Sequence, residues 1–168
     1  MKAAALLALA LVVGLLSIQA SAVAGVPADQ RLLRATGSTV ASCEHSMRGV
    51  GIPLDQAPTD RLGPFGIFEF TPDFRDLPRF GNANLREKAP VGVTGATTVT
   101  LTVPERARDR VALVYAGGKG RWAEVEFQPC PGKQRTAWPG GLILRDRQPV
   151  TLSVTVGAGV ARPLRLGR

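Results

Sequence analysis

Two segments of this chain alternate apolar and hydroxyl-bearing residues with a period of two. Residues 97–103 read TTVTLTV and residues 150–156 read VTLSVTV. Successive side chains of an extended strand leave on opposite faces. Val99, Leu101 and Val103 therefore line one face, and Thr98, Thr100 and Thr102 the other. In the second segment Val150, Leu152, Val154 and Val156 share a face. Each segment reads as a strand with one buried and one wet side.

The stretch between them adds further strands. Residues 111–116, VALVYA, are more continuously apolar, and residues 122–127, WAEVEF, alternate again. Gly117-Gly118-Lys119-Gly120 between them predicts a hairpin over residues 111–127. In that hairpin Ala123, Val125 and Phe127 face the core, while Trp122, Glu124 and Glu126 face out unless the sheet is covered on both sides. Pro129 and Pro131 around Cys130 must end the ladder, since proline has no N–H to donate. Residues 132–137 read as a polar loop, and Trp138-Pro139-Gly140-Gly141 turns the chain into Leu142-Ile143-Leu144. Residues 163–166 suit a short closing edge strand. Strands at this spacing, split by Gly/Pro turns and with almost no helix signal, predict a mostly β fold. The expected architecture is an antiparallel β-sandwich, Ig-like or jelly-roll-like; hairpin order alone does not separate it from a barrel.

The first 90 residues differ. Residues 1–24 have the form of a signal peptide: Lys2, an apolar run over residues 3–16, and Ala22-Val23-Ala24 as the cleavage site before Gly25. The run falls short of the roughly 20 apolar residues of a membrane span. Residues 25–168 then form one β domain, with a loop-rich and Phe-rich part over 25–90 and a regular core over 91–168. Residues 26–33 suit a short helical turn, residues 49–64 are rich in turns, and residues 84–88 suit one helical turn. Phe65, Phe68, Phe70, Phe74 and Phe80 crowd residues 64–80. A strand over residues 67–71 puts Phe68 and Phe70 on one face, as an aromatic strip for a ligand or as bulky core anchors.

An exported chain meets an oxidising compartment, where two cysteines suggest a bridge. Cys43 and Cys130 are the two cysteines, and their bridge closes a loop of almost 90 residues. Such closure is worth about 4–5 kcal/mol in the chain-entropy model, as an upper estimate. Two distant cysteines and the single His45 lack the spacing of metal ligands. Asp73 and Asp76 make an incomplete Ca²⁺ set.

Without the signal, 20 basic and 13 acidic side chains leave a net charge of +7. The charges are dispersed: Arg106, Arg108 and Arg110 are interleaved with Glu105 and Asp109, as on a solvated turn. No catalytic constellation is complete. His45 has Ser42 and Ser46 nearby but no Gly-x-Ser-x-Gly elbow. Glu124 and Glu126 share a strand face beside abundant arginines. Lys119 is followed by Gly120, not by the Ser or Thr of a phosphate loop. Trp122, Trp138 and Tyr115 join Phe68 and Phe70 as candidate ligand-contact residues, because a flat ring with a polar handle suits sugars and peptides. Trp138 equally suits a plug at the sandwich end.

FQPC at residues 127–130, TAWPGGLIL at residues 136–144 and VTLSV at residues 150–154 resemble small secreted proteins of actinobacteria that carry no assigned function. The resemblance covers residues 90–168. Relatives of that kind place further cysteines before the last strand and at the C-terminus. Here those regions hold Gln148 and Arg168, so on that pattern Cys43 is left as the partner of Cys130. The resemblance supplies no catalytic residues. The expectation is a secreted, non-catalytic binding or structural module of the bacterial cell surface or extracellular space, with no cofactor and no metal. Its expected partner is a cell-wall polymer or another secreted protein. Nucleic acid is not an expected partner, nor is a membrane span expected after signal cleavage. Two alternatives stay open: a binder of anionic polymers or a membrane surface through arginines, and a hydrolase of wall components using His45 or the Glu124/Glu126 face.

Overall fold

The computed structural model describes residues 34–47, 57–68, 73–77, 84–117 and 120–168. The signal peptide, the helical turn expected at residues 26–33, Phe70, Phe80, Gly118 and Lys119 lie outside the described residues. The chain is mostly β, arranged as a sandwich of three hydrogen-bonded sheets.

Sheet I has the order β1-β8-β6-β11-β12: Ser38–Ala41, Glu124–Phe127, Val99–Thr102, Val150–Val156 and Arg162–Leu166. Both alternators sit side by side in it as β6 and β11, with Leu101 opposite Val154 and Thr100 opposite Thr155. Their Val and Leu side chains are buried except for half-buried Val156, and their hydroxyls form part of the outer face. β12 is an edge, which suits Pro163 as its second residue. β1 pairs with β8 in parallel, whereas the other ladders are antiparallel.

Sheet II has the order β2-β3-β5-β9: Asp60–Leu62, Phe65–Ile67, Val91–Thr94 and Arg135–Trp138. Sheet III has the order β4-β10-β7: Leu85–Lys88, Gly141–Leu144 and Val111–Val114. One continuous core takes side chains from all three sheets. At its centre Phe127 of sheet I meets Phe65 and Trp138 of sheet II at ring-centroid distances of 6.1 and 5.2 Å. Tyr115 closes edge-on against Phe127 at 5.1 Å.

Several local expectations fail for one physical reason: the strands find distant partners. The hairpin over residues 111–127 is reduced to a single bridge, Leu113 to Trp122. Beyond it β7 pairs with β10 in sheet III, and β8 pairs with β1 and β6 in sheet I. Residues 84–88, expected as a helical turn, are mostly strand β4, held along one side of β10. The expected loop at residues 132–137 contains most of β9. The strand expected over residues 67–71 begins earlier, at Phe65, and Phe68 follows its end. The segment before residue 90 thus supplies strands to all three sheets.

Trp138-Pro139-Gly140-Gly141 carries the chain from sheet II to sheet III. A Cβ on Gly140 would lie 2.2 Å from the Tyr115 ring, and one on Gly141 would lie 1.9 Å from the Glu87 carbonyl oxygen. Both sites require glycine on steric grounds. The junction is closed by the Ala89 N–H donating to the Gly140 carbonyl at 3.0 Å and the Tyr115 hydroxyl donating to the Ala89 carbonyl at 2.6 Å.

Candidate functional site

Cys43 and Cys130 are joined in a disulfide, with their Cα atoms 4.9 Å apart. They lie just beyond the C-terminal ends of the parallel strands β1 and β8. β1 has four residues and a single neighbour, so its own ladder holds it weakly. The corner is also tied to sheet II. The Trp138 indole N–H donates to the Ser42 carbonyl at 2.8 Å, and Met47 N–H to the Ala137 carbonyl at 2.8 Å. The Cys130 N–H donates to the buried Thr136 hydroxyl at 2.8 Å.

This packing places Trp138, Tyr115 and Phe68 inside the protein. Trp138 is fully buried, and its one polar group is used within the chain. Tyr115 is buried as well, and burial pushes its phenol far above the ordinary range. Phe68 lies on the opposite face of sheet II from the main core, packed with Ala137 and Met47. Its ring covers Gly92, where a Cβ would approach it to 2.8 Å, and the Arg135 guanidinium lies 5.9 Å from its centroid. Trp122 is half-buried against the core, a correction to the expected outward position. The chain bends at Ala123, between the bridge and β8. The bend interrupts the period of two, so Trp122 and Val125 both reach the core.

The groups considered for catalysis stand apart. The Ser42 hydroxyl and His45 Nδ1 are 3.1 Å apart, on an exposed turn. No carboxylate among the described residues completes that pair. Glu124 accepts from the Thr102 hydroxyl at 3.1 Å, and Glu126 from the Gln128 amide at 2.7 Å, both on the outer face of sheet I. Asp73 caps the short turn over Phe74–Asp76 and is gripped by Arg75, which holds its carboxyl down at about 2. No group of three potential metal ligands occurs among the described residues. Much of the basic group near residue 108 is engaged in ion pairs. Arg108 meets Glu105, Arg34 spans Glu105 and Asp109, and Arg110 forms a two-pronged pair with Asp146 at 2.6 and 2.7 Å.

A different place is concave. A cleft of about 820 Å³ opens over the outer face of sheet III. The register sets Arg86 beside Ile143, and Lys88 beside Gly141 with Val114 on its far side. Because β4 is extended, Arg86 and Lys88 leave on the same face, both exposed, while Leu85 and Glu87 are buried. Arg121 comes to the cleft from the segment preceding the Leu113–Trp122 bridge. The apolar lining is Val114 and Ile143 on the outer face, Leu142, whose side chain belongs to the main core, and Gly140 and Gly141. Three basic residues and one acidic residue, Glu87, belong to the described lining. The volume is that of an ordinary small-molecule site. An apolar floor under a cationic rim can hold a ligand by burial and fix it by charge.

Reading the strands one at a time misses these residues. One signal was present: GLIL at residues 141–144 is apolar at three successive positions, unlike the alternators. All four residues are buried, so this strand has no solvated face. No protein-family model, curated protein or solved structure matches this chain.

Proposed function

We propose that the chain is an exported, non-catalytic binding module that holds an anionic partner in the cleft over sheet III. The observation that carries this reading is the convergence of Arg86, Lys88 and Arg121 around an apolar floor. Elsewhere Arg34, Arg108 and Arg110 pair with carboxylates of the chain itself. Export rests on the signal-like N-terminus, the disulfide and the resemblance to small secreted actinobacterial proteins. The extracellular space or the cell surface is then the working compartment. No helix among the described residues is long and apolar enough to cross a membrane.

The test separates a site from a generally basic surface. Arg86→Glu and Arg165→Glu change the net charge equally; Arg165 lies in the exposed part of β12. On immobilised heparin, Arg86→Glu is expected to elute at clearly lower salt than the parent, and Arg165→Glu close to it. Equal displacement by both variants contradicts the proposal, because retention would then follow bulk charge alone.

A further inference from the structure

We infer that β1, the open edge of sheet I, receives an extended basic segment of a partner protein as an added antiparallel strand. This partner is distinct from the ligand of the cleft, and the inference does not depend on that reading. The Ala123 and Gln128 N–H groups donate to the Gly37 and Ala41 carbonyls at 3.1 and 3.0 Å, so the strand turns the backbone of residues 37, 39 and 41 toward β8. Backbone direction alternates along an extended strand. The N–H and carbonyl of Ser38 and of Val40 therefore point away from β8, along an edge to which sheet I brings no neighbour. Ser38 is exposed, and Val40 is one of two large exposed hydrophobics among the described residues, at 43 %.

The other sheet edges are guarded. β12 carries Arg162, Pro163 and Arg165, β2 carries Asp60 and Arg61, and β4 carries Arg86 and Lys88. β7 is bridged to Trp122, and the Ala137 carbonyl of β9 accepts from the Met47 N–H. β1 reads Ser-Thr-Val-Ala and has neither charge nor proline, two of the devices that keep an edge from pairing. It is also ordered in advance. The Thr36 N–H donates to the Arg121 carbonyl at 3.0 Å before it, and the Trp138 indole and the disulfide hold residues 42 and 43 after it. A template already in place lowers the ordering cost of binding.

The register fixes the chemistry of the occupant. Thr39 and Ala41 stand beside the buried Val125 and Phe127, so Ser38 and Val40 share the outer face with Glu124 and Glu126. Those carboxylates take hydrogen bonds from the Thr102 hydroxyl and the Gln128 amide, both neutral. An added antiparallel strand sets one residue beside Val40 and, two further on, another beside Ser38. An apolar residue at the first position packs on Val40. A lysine or arginine at the second lies across the short Ser38 side chain toward Glu124. A second copy of the chain pairing through its own β1 brings no cation to these carboxylates. Main-chain bonds then supply affinity, and the apolar and basic positions supply selectivity.

Amide shift mapping with the synthetic peptide acetyl-Thr-Val-Thr-Lys-Thr-amide tests this. Its valine and lysine take the two bonded positions, and the threonine between them turns its backbone away. The expected result is saturable binding, with the Ser38 and Val40 amides shifted most. N-methylation of the valine or the lysine should weaken binding at least about tenfold, and N-methylation of the middle threonine less than about twofold. Val40→Lys should also cost at least about tenfold. Val160→Lys, an equal charge change at the other exposed valine, should leave binding unchanged. Glu124→Gln should weaken the lysine peptide about threefold and leave a norleucine peptide unaffected. Absence of binding, or equal effects of N-methylation at all three positions, overturns the inference. Equal affinity of the lysine and norleucine peptides overturns the basic partner. Sedimentation that shows the chain dimerising, with the dimer lost in Val40→Lys and no peptide bound, also overturns it, because the partner would then be a second copy.

Discussion

The outer faces of sheets I and III are both built from β-strands over one core, yet they present opposite chemistry. Sheet I turns outward Thr100, Thr102, Thr151, Ser153 and Thr155, with Glu124 and Glu126 on β8. These are short hydroxyls and carboxylates on strands whose inner residues are Val, Leu and Phe. Sheet III turns outward Ala112 and Ile143, both buried, and lets Arg86 and Lys88 rise at one side. The difference lies in the pattern of the strands. Strict alternation yields a solvated face that needs no partner. An unbroken apolar strand such as Gly141–Leu144 yields two apolar faces, and the second must be covered or hollowed. In this protein the second face is covered at Ala112 by Ala35 and Ala123 and borders the cleft at Ile143.

The comparison is broken most severely by releasing the edge of sheet I. Replacing Cys43 and Cys130 together by serine removes a cross-link between residues 87 apart. The expected loss is about 4–5 kcal/mol, an upper estimate, seen as a lower denaturant midpoint. A loss below about 1 kcal/mol would mean that β1 is held by its other contacts alone. Next comes the floor of sheet III. Ile143→Ala should cost about 2 kcal/mol, at the low end for such a truncation, since one side of the residue borders the cleft. A neutral result would mean that this face is already solvated like that of sheet I.

Acid sharpens the picture at the junction of β7 and β10. Arg110 donates both its Nε and Nη2 to Asp146, and with the Gln148 N–H it holds that carboxyl below its ordinary 3.8. A lowered folded-state value means stability that is complete above the unfolded value and lost as pH falls through the folded one. Asp146→Asn should therefore be less stable than the parent above about pH 4, with the two converging in stronger acid. The pair is partly exposed, so the gap should stay below about 1 kcal/mol. A gap that widens on acidification would contradict the assignment. The smallest effect belongs to the outer face of sheet I: Thr155→Val should stay within about 0.5 kcal/mol of the parent. A larger loss would show that this face is packed against something.

How much of this was legible follows the range of the interactions. The alternators announced β6 and β11, including which side of each is buried, because period two is a local property. The disulfide was legible because a chain with two cysteines has one intramolecular pairing. The β7–β8 hairpin was misjudged because Gly117 and Gly120 signal a turn without saying which strands pair beyond it. Leu85–Lys88 reads as a helical turn in isolation and is a strand through its ladder with β10. The cleft was out of reach for the same reason. Arg86, Arg121 and Ile143 are separated along the chain, and only the pairing of β4, β10 and β7 brings their faces together. Trp138 and Tyr115 carried a polar handle that suits a ligand, but each spends it on a backbone carbonyl of its own chain.

The central claim is that the outer face of sheet III, and not that of sheet I, is where this protein meets a small ligand. It is tested most directly by amide chemical-shift mapping of uniformly labelled protein against small aliphatic phosphates, carboxylates, amines and sugars. The anionic fragments are expected to bind, with shifts that cluster at Arg86, Lys88, Val114, Arg121 and Ile143. Shifts clustering at Thr100, Thr102, Ser153 and Thr155, with the sheet III amides unmoved, would contradict it.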